Sequence, residues 1–595
     1  MFTKIFTTKN TSQLPLTVIA FIILLIFFFV IRLVQIQSTP SVISHDEIYY
    51  PAQARALAVS GSDPTGTWKP WHLTSAHPLY AELPGVVMTP AAFFFTDPII
   101  AAKITHIFLG TLLCGVLSLL ALVLTKERNI AVITLLIAGF NPWLFQFSRM
   151  GFDALFSLFF YLTAVAVFLH FGGKKKLWSI PFFFLGFFQY QGLKVVFLPV
   201  VFLTALYDFL RSHTEQVSLQ SLSSLLRKQW STLVVLIFSV LLFSLYLFGL
   251  SNQLAGERTT DLIFSDERYI TTVTNQNRQL TLPSNATPLF LNKVTTLFDR
   301  FTSQYFSSFS LKHLFVSGEP LRNPFSVWTH GIFYLIDLPL IIVGAYYLFS
   351  RKKYRLSSYY LLALLLISPL ADAMSAKGTW TMFRSSLLVP ILILFSSVGL
   401  WSVWKKKQKA LFAALVLLYL ASIARFMFVY FYSYPVHGTL GEYFSERVIA
   451  NYILRNPDRS IVVYASEPRF MYESILVFTN AITKDSIHTV NKSYENHEYR
   501  IANVLVTNAC VDLTDQSVIS IYNRTSQFCD TQLAENNQLT LQIPSLIDSG
   551  AVYTVHNDSF CSEYDQNRYS RITENVLAVE KISDEQFCRN FFIRN

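Results

Sequence analysis

The sequence predicts a polytopic α-helical membrane protein with a C-terminal extracytoplasmic domain of mixed α and β structure. Three observations predict it. Of 595 residues, 52% are hydrophobic, only 14% are charged and 54 are Phe, more apolar surface than a soluble core can bury. The apolar residues fall in blocks long enough to cross a bilayer. From about Ser433 the texture changes to polar residues and short alternating segments, and four of the five cysteines lie in that region.

The first block, Leu16 to Val34, has no small-residue cleavage site behind it and reads as an anchor rather than a signal peptide. The others lie near 99–124, 130–147, 154–170, 177–191, 193–210, 231–250, 332–349, 356–371, 387–404 and 410–432. Lys4 and Lys9 place the N-terminus in the cytoplasm. About eleven crossings then put every basic cluster inside, as the positive-inside pattern requires. Those clusters are Lys126-Arg128, Lys174 to Lys176, Arg227-Lys228, Arg351 to Lys353 and Lys405 to Lys407. They account for the net charge of +10 without a nucleic-acid-binding face.

A further apolar block, Leu79 to Thr96, contains Glu82, Pro84 and Pro90, which a lipid-facing helix accommodates poorly. A crossing there would also move every later basic cluster outside, so the segment is expected to be interfacial or re-entrant. The chain thus divides into a membrane domain, 1–435, with outer loops at 35–98 and 251–330, and an extracytoplasmic domain, 436–595. The expected setting is the plasma membrane, with the N-terminus cytoplasmic and the C-terminus outside.

In the first outer loop, Pro51 suits an early helical position and Gly61 a stop, which predicts a short helix near 51–59 with Asp46-Glu47 on the preceding turn. In the C-terminal region Leu440 to Leu454 reads as a helix. Ser460 to Tyr464, Arg500 to Val506, Val518 to Tyr522, Leu539 to Ile543 and Asn575 to Val579 read as strands. Cys510, Cys529, Cys561 and Cys588 form an even set suited to two disulfides in an oxidising compartment, with the pairing open. Cys114 lies inside a span and reads as a small core residue.

There is no Walker A loop, no GxGxxG before a helix, no HExxH and no tight Cys/His cluster. His45 and His77 bracket the first loop beside the acids, too few ligands to define a metal site. The chemistry concentrates instead on ionisable residues that the topology sends to the outer ends of spans: Asp46, Glu47, Asp153, Lys194 and Arg384. Two neighbouring carboxylates can tune each other, as a general base for a hydroxyl requires; the alternative is charge at a helix start. Asp153 opens an apolar helix, where it can serve the dipole and pair with Arg149. Lys194 and Arg384 can hold a phosphate, or can anchor span ends at the interface.

These residues resemble those of the GT-C membrane glycosyltransferases of the family 39 and aminoarabinose-transferase type, relatives of the protein O-mannosyltransferases. The resemblance covers roughly residues 16–435. It rests chiefly on Asp46-Glu47 with Tyr49 to Gly61, then on His77-Pro78-Leu79-Tyr80, Asn141-Pro142-Trp143 with Ser148-Arg149 and Asp153, and Lys194 with Pro199. Phe309 to Gly318, Gly331 to Pro339, and Arg384 with Pro390 complete it. It implies a GT-C fold and inverting transfer of a sugar from a polyprenyl-phosphate carrier to an extracytoplasmic glycolipid, glycan or protein. Asp46 then resembles the base, Glu47 its support and Asp153 a second acid of the cavity, while Lys194 and Arg384 hold the lipid phosphate. No cofactor is required beyond the lipid-linked donor, and a divalent metal stays open. Two departures stand out. The first-loop lysine of the aminoarabinose transferases is replaced by Ala76-His77-Pro78-Leu79, which leaves that phosphate contact missing or supplied by His77, and the soluble repeats of O-mannosyltransferases are absent. The rival classes are a transporter of lipid-linked saccharide, which predicts charge in mid-span, and a ligase of whole lipid-linked glycans.

Overall fold

The computed structural model describes residues 14–40, 45–73, 80–213, 222–251, 262–319, 327, 329–376, 381–437, 444–511, 518–523, 540–544, 551–564 and 579–594. Lys4, Lys9, His77 and Cys529 lie outside the described residues. The principal helices of the first part are α1 (Leu14–Leu33), α2 (Asp46–Ser60), α3 (Pro84–Phe94), α4 (Pro98–Thr125), α5 (Arg128–Phe140), α6 (Ala154–His170) and α7 (Lys194–His213). They continue with α8 (Leu222–Ser251), α9 (Glu267–Gln279), α10 (Lys293–Ser307), α11 (Asp337–Ser350), α12 (Arg355–Ile367), α13 (Leu388–Lys405) and α14 (Lys409–Phe428).

Among the described residues, six helical segments are long and apolar enough to cross a membrane: Pro98–Thr125, Lys194–Ser212, Gln229–Gly249, Lys352–Ala373, Leu388–Lys405 and Lys409–Ser433. The longest, α4, starts where Asp97 accepts the amides of Ile99 (2.9 Å) and Ile100 (3.1 Å) ahead of Pro98, an N-cap with proline in the first turn. α3 has 11 residues, about 16 Å of helix, half of the roughly 30 Å hydrocarbon core. The 177–191 block forms a helix of only nine residues, Ser179–Phe187, then turns and restarts at Lys194. The 130–147 block breaks at Asn141, whose side chain caps the next turn at Leu144 N (3.0 Å) and donates to Ile332 O (3.0 Å).

Packing between α11 and α13 is set by two glycines. A Cβ on Gly344 would overlap the carbonyl oxygen of Phe395, and one on Gly399 would overlap that of Leu340. The two backbones therefore touch, the close approach that small residues allow between helices in lipid. Asp337, buried at the start of α11, accepts Ser396 Oγ (2.6 Å) and the hydroxyl of Tyr419, tying α11 to α13 and α14.

The C-terminal region contains α15 (Phe444–Arg455), α16 (Pro468–Phe478), α17 (Ile487–Glu495) and α18 (Asp584–Phe591). They surround a seven-stranded sheet of order β2-β3-β1-β4-β6-β5-β7. The strands are β1 (Ile461–Tyr464), β2 (Tyr499–Ile501), β3 (Val504–Thr507), β4 (Ile519–Asn523), β5 (Thr540–Pro544), β6 (Ala551–His556) and β7 (Ile593–Arg594). β1 runs parallel to β3 and β4, while the other pairs are antiparallel. The single strand expected over Arg500 to Val506 is two: the chain reverses through Ala502, at φ 48°, and β2 pairs back on β3. Of the strand expected over Asn575 to Val579, only Val579 is described, and it lies in a turn. Cys561 and Cys588 form a disulfide joining α18 to the turn after β6; Cys510 is also disulfide-bonded, and Cys114 is buried and free.

Helix α2 connects the two parts. It begins at Asp46, earlier than the predicted 51–59, so Pro51 sits inside the helix and the acids occupy its first turn. The expected stop holds: Gly61 adopts φ 78° and its N–H caps Leu57 O. Tyr49, Tyr50 and Ala54 pack into the membrane-helix core, whereas Ile48, Ala52 and Ala56 pack into the core of the C-terminal region.

Candidate functional site

Asp46 and Glu47 occupy the positive end of α2, where carboxylates are stabilised by the helix dipole. Their surroundings differ. Glu47 is buried, and its Oε1 accepts the amide of Gly151 at 2.5 Å. A Cβ at Gly151 would lie 3.2 Å from Glu47 Cγ, so glycine lets the 148–153 turn close on the acid. Asp46 is only partly buried.

Behind Glu47 lie three buried cations that bind carbonyl and hydroxyl oxygens. Lys103 Nζ donates to Ile36 O (3.0 Å) and Pro40 O (3.1 Å), and Arg149 to Arg32 O (2.5 Å) and Thr39 O (2.8 Å). Arg32 donates to Ser148 Oγ (2.8 Å) and Gly139 O (2.9 Å). Arg149 is thus turned toward the end of α1 and away from the Asp153 partnership considered from sequence. Asp153 Oδ2 instead accepts the hydroxyl of Tyr50 (2.7 Å), which itself accepts Ala81 N (2.8 Å). Burial, then the charges of Asp153 and Asp46, push the Tyr50 phenol well above its ordinary pKa. It therefore stays protonated and donates to Asp153.

Lys194 is buried and ion-paired with Glu82, at 2.7 Å to Oε1 and 3.0 Å to Oε2. The Tyr246 ring lies 4.1 Å from its Nζ. Gln191 donates to the same carboxylate and accepts Tyr246 OH (3.1 Å). Arg384 lies 3.7 Å from Asp372 Oδ1, and that Nη1 is buried with no hydrogen-bond partner among the described residues. Its loop is held by two buried acids: Thr381 N donates to Asp372 (3.3 Å) and Met382 N to Glu319 (2.6 Å). The rings of Phe152, Tyr190 and Phe383 contact one another with centroids 4.8 to 6.0 Å apart. They bring together the turns that carry Asp153, Lys194 and Arg384.

The C-terminal region closes on the acids from the other side. Phe470 of α16 places its ring 3.8 Å from that of His45, and Tyr80 stacks on Tyr49 at 3.9 Å while hydrogen-bonding His45. Below Phe470, buried Glu473 pairs with Arg469 (3.0 Å) and accepts Tyr494 OH (3.2 Å). Burial raises the Glu473 pKa and the Arg469 charge opposes the rise. Among the described residues, no group of three or more His, Cys, Asp or Glu is placed to hold a metal.

No family model matches the chain, and no curated protein does. Among solved structures, it is similar to ArnT from Cupriavidus metallidurans bound to undecaprenyl phosphate, with 12% identity over 92% of this chain and 99% of that one, at a TM-score of 0.49. It is also similar to the archaeal oligosaccharyltransferase AglB from Archaeoglobus fulgidus, in complex with an inhibitory peptide and a dolichol-phosphate. There the identity is 12%, over 84% of this chain and 69% of that one, at a TM-score of 0.41.

Several residues of the site escaped the sequence reading. Glu82 was visible as an acid in an apolar segment, the pattern that marks an intramembrane partner, but it served only to argue against a crossing. Tyr50 was in view only as a neighbour of the acids. Asp372, Glu319 and Phe470 left no local signal, because each acts through a contact distant in sequence.

Proposed function

We propose that the protein is a GT-C-type membrane glycosyltransferase that moves a sugar from a polyprenyl-phosphate carrier to an acceptor hydroxyl outside the cytoplasm, with inversion. The observation that carries this reading is the unequal setting of the acid pair: Glu47 is buried and clamped by Gly151, while the adjacent Asp46 remains partly exposed. A general base must reach the proton that it removes, which assigns that role to Asp46 and a holding role to Glu47. The proton of the acceptor hydroxyl passes to Asp46 as its oxygen bonds to the anomeric carbon. The bond from that carbon to the phosphate oxygen breaks, and the electron pair leaves with the polyprenyl phosphate.

The departing charge needs fixed donors in a site shielded from water. Arg384, whose Nη1 makes no hydrogen bond among the described residues and whose ion pair with Asp372 is long at 3.7 Å, suits this task. Lys194 is a weaker candidate, since Glu82 already neutralises it. Asp153 acts through Tyr50 to hold α2. Residues 436–595 serve as the outer domain, which reaches the residue before the acids where Phe470 meets His45, and the Cys561–Cys588 disulfide supports an oxidising, extracytoplasmic side. The orientation, the eleven-span count and the sugar belong to the same proposal.

Purified protein, with and without chelator, would be incubated with polyprenyl-phosphate sugars and a crude acceptor extract while release of polyprenyl phosphate is followed. Asp46→Asn should lower release by about 10²- to 10⁴-fold, the usual share of a general base, while carrier binding survives. Tight lipid binding without turnover would favour a transporter. Turnover with whole lipid-linked glycans alone would favour a ligase.

A further inference from the structure

The second outer loop folds into a helical hairpin, α9 and α10, whose amphipathic character runs opposite to what a loop in water requires. α10 is capped at Asn292, which accepts Val294 N (2.9 Å) and Thr295 N (3.0 Å). Along it Val294, Phe298, Phe301 and Tyr305 fall within about 60° of one another at 100° per residue. Among the described residues, protein leaves the first half of this stripe uncovered, with Val294 74% and Phe298 64% exposed, while Phe301 and Tyr305 are half-buried. The opposite face faces protein, through Thr296 Oγ1 to Thr274 Oγ1 of α9 (2.8 Å) and the guanidinium of Arg300 stacked 4.0 Å over Tyr269. That side also forms a cleft of about 260 Å³ lined by Val273, Asn277, Asp299, Ser303 and Gln304. The tip of the hairpin is apolar as well, with Leu280 87% and Leu282 86% exposed and Leu289 and Phe290 beside them. Contiguous apolar surface of this kind marks a docking face.

Its position says what covers it. Tyr305 OH donates to Leu366 O (2.7 Å), and Leu366 lies on an exposed apolar face of the candidate span Lys352–Ala373. The incoming strand is pinned at the end of that span by Ile263 N to Met374 O (3.0 Å), and Arg300 donates to Ala376 O. The apolar stripe of α10 is therefore continuous with the lipid-facing surface of the span. We propose that α9, α10 and the loop joining them form an interfacial hairpin, docked with Val294, Phe298 and the Leu280 to Phe290 tip in the leaflet at that end of the spans. Apolar burial drives this docking rather than lipid charge. Through Ser308 Oγ to Ser385 Oγ (2.9 Å) the hairpin is tied to the residue after Arg384.

The test uses full-length protein in phosphatidylcholine nanodiscs. A fluorophore is attached at Phe298→Cys, Leu282→Cys or, on the polar face, Ser303→Cys. Lipids carrying a quencher near the headgroup should quench the labels at 298 and 282 at least twofold more than the label at 303, and aqueous iodide should show the reverse order. Equal iodide quenching at all three sites would overturn the proposal. Cross-linking between two copies through position 298 would also overturn it, by showing that protein covers the face. For unmodified protein, a photoactivatable lipid should leave adducts between residues 280 and 306, and none there would refute the docking. Neither readout depends on transferase activity.

Discussion

Glu82→Gln removes the charge that neutralises Lys194 while keeping nearly the same shape. Both side chains are almost fully enclosed, at 2% and 3% exposure, and 2.7 Å separates Nζ from Oε1. At an effective dielectric constant of about 20, that separation corresponds to about 6 kcal/mol of attraction, offset in the native fold by desolvation of both ions. Breaking a buried pair from one side costs about 3–5 kcal/mol. The Tyr246 ring, 4.1 Å away, remains to hold the ammonium and returns about 1–2 kcal/mol. A net loss of about 1–4 kcal/mol is expected. It would be measured as the unfolding free energy of purified protein in a denaturing-detergent titration, for Glu82→Gln, Lys194→Met and the double variant. The double variant should recover most of the loss, with a coupling energy of at least about 2 kcal/mol. Single variants within about 0.5 kcal/mol of wild type, or strictly additive losses, would refute the reasoning. The same variant tests the role of the lysine. If Lys194 receives the carrier phosphate, Glu82→Gln should tighten polyprenyl phosphate binding, by up to about tenfold for 1.4 kcal/mol; unchanged binding would leave the lysine a structural role.

Gly399→Ala should separate α11 from α13, since its Cβ would overlap the carbonyl of Leu340; a loss of about 1–3 kcal/mol is expected in the same titration, and an unchanged midpoint would contradict it. Glu580 gives a pH signature: burial raises its pKa, but the Arg447 charge and their paired hydrogen bonds at 2.5 and 2.6 Å outweigh it, so the carboxyl lies below its usual 4.5. Its stabilising contribution is present above pH 4.5 and is lost as pH falls through the lower folded-state value. Hydrogen exchange in residues 579–594, taken relative to the intrinsic rate at each pH, should therefore speed up in acid in wild type. In Glu580→Gln it should be faster at neutral pH with a weaker acid response, and an identical pH slope in both proteins would reject a stabilising Glu580–Arg447 pair.

The parts of the fold legible in the sequence were those encoded locally. Gly61 stops α2 because its backbone adopts a left-handed turn. The split of Arg500 to Val506 into two strands was missed because Ala502 carries no turn signal of its own. The acid pair stood out in the first loop, but nothing in the sequence separated its members. Gly151, distant in the chain, buries one of them.

Local composition and periodicity by themselves determined the apolar blocks, the polar C-terminal region with β1, β4 and β5, and the candidate acids and bases, because hydrophobicity and capping act over a few residues. Tertiary structure alone decided which ions meet. Lys194 found Glu82, Asp153 found Tyr50, and Arg149 turned to the carbonyls after α1. A charge removed from water takes whatever partner the packed backbone brings within about 3 Å, and that proximity is a property of the assembled helices.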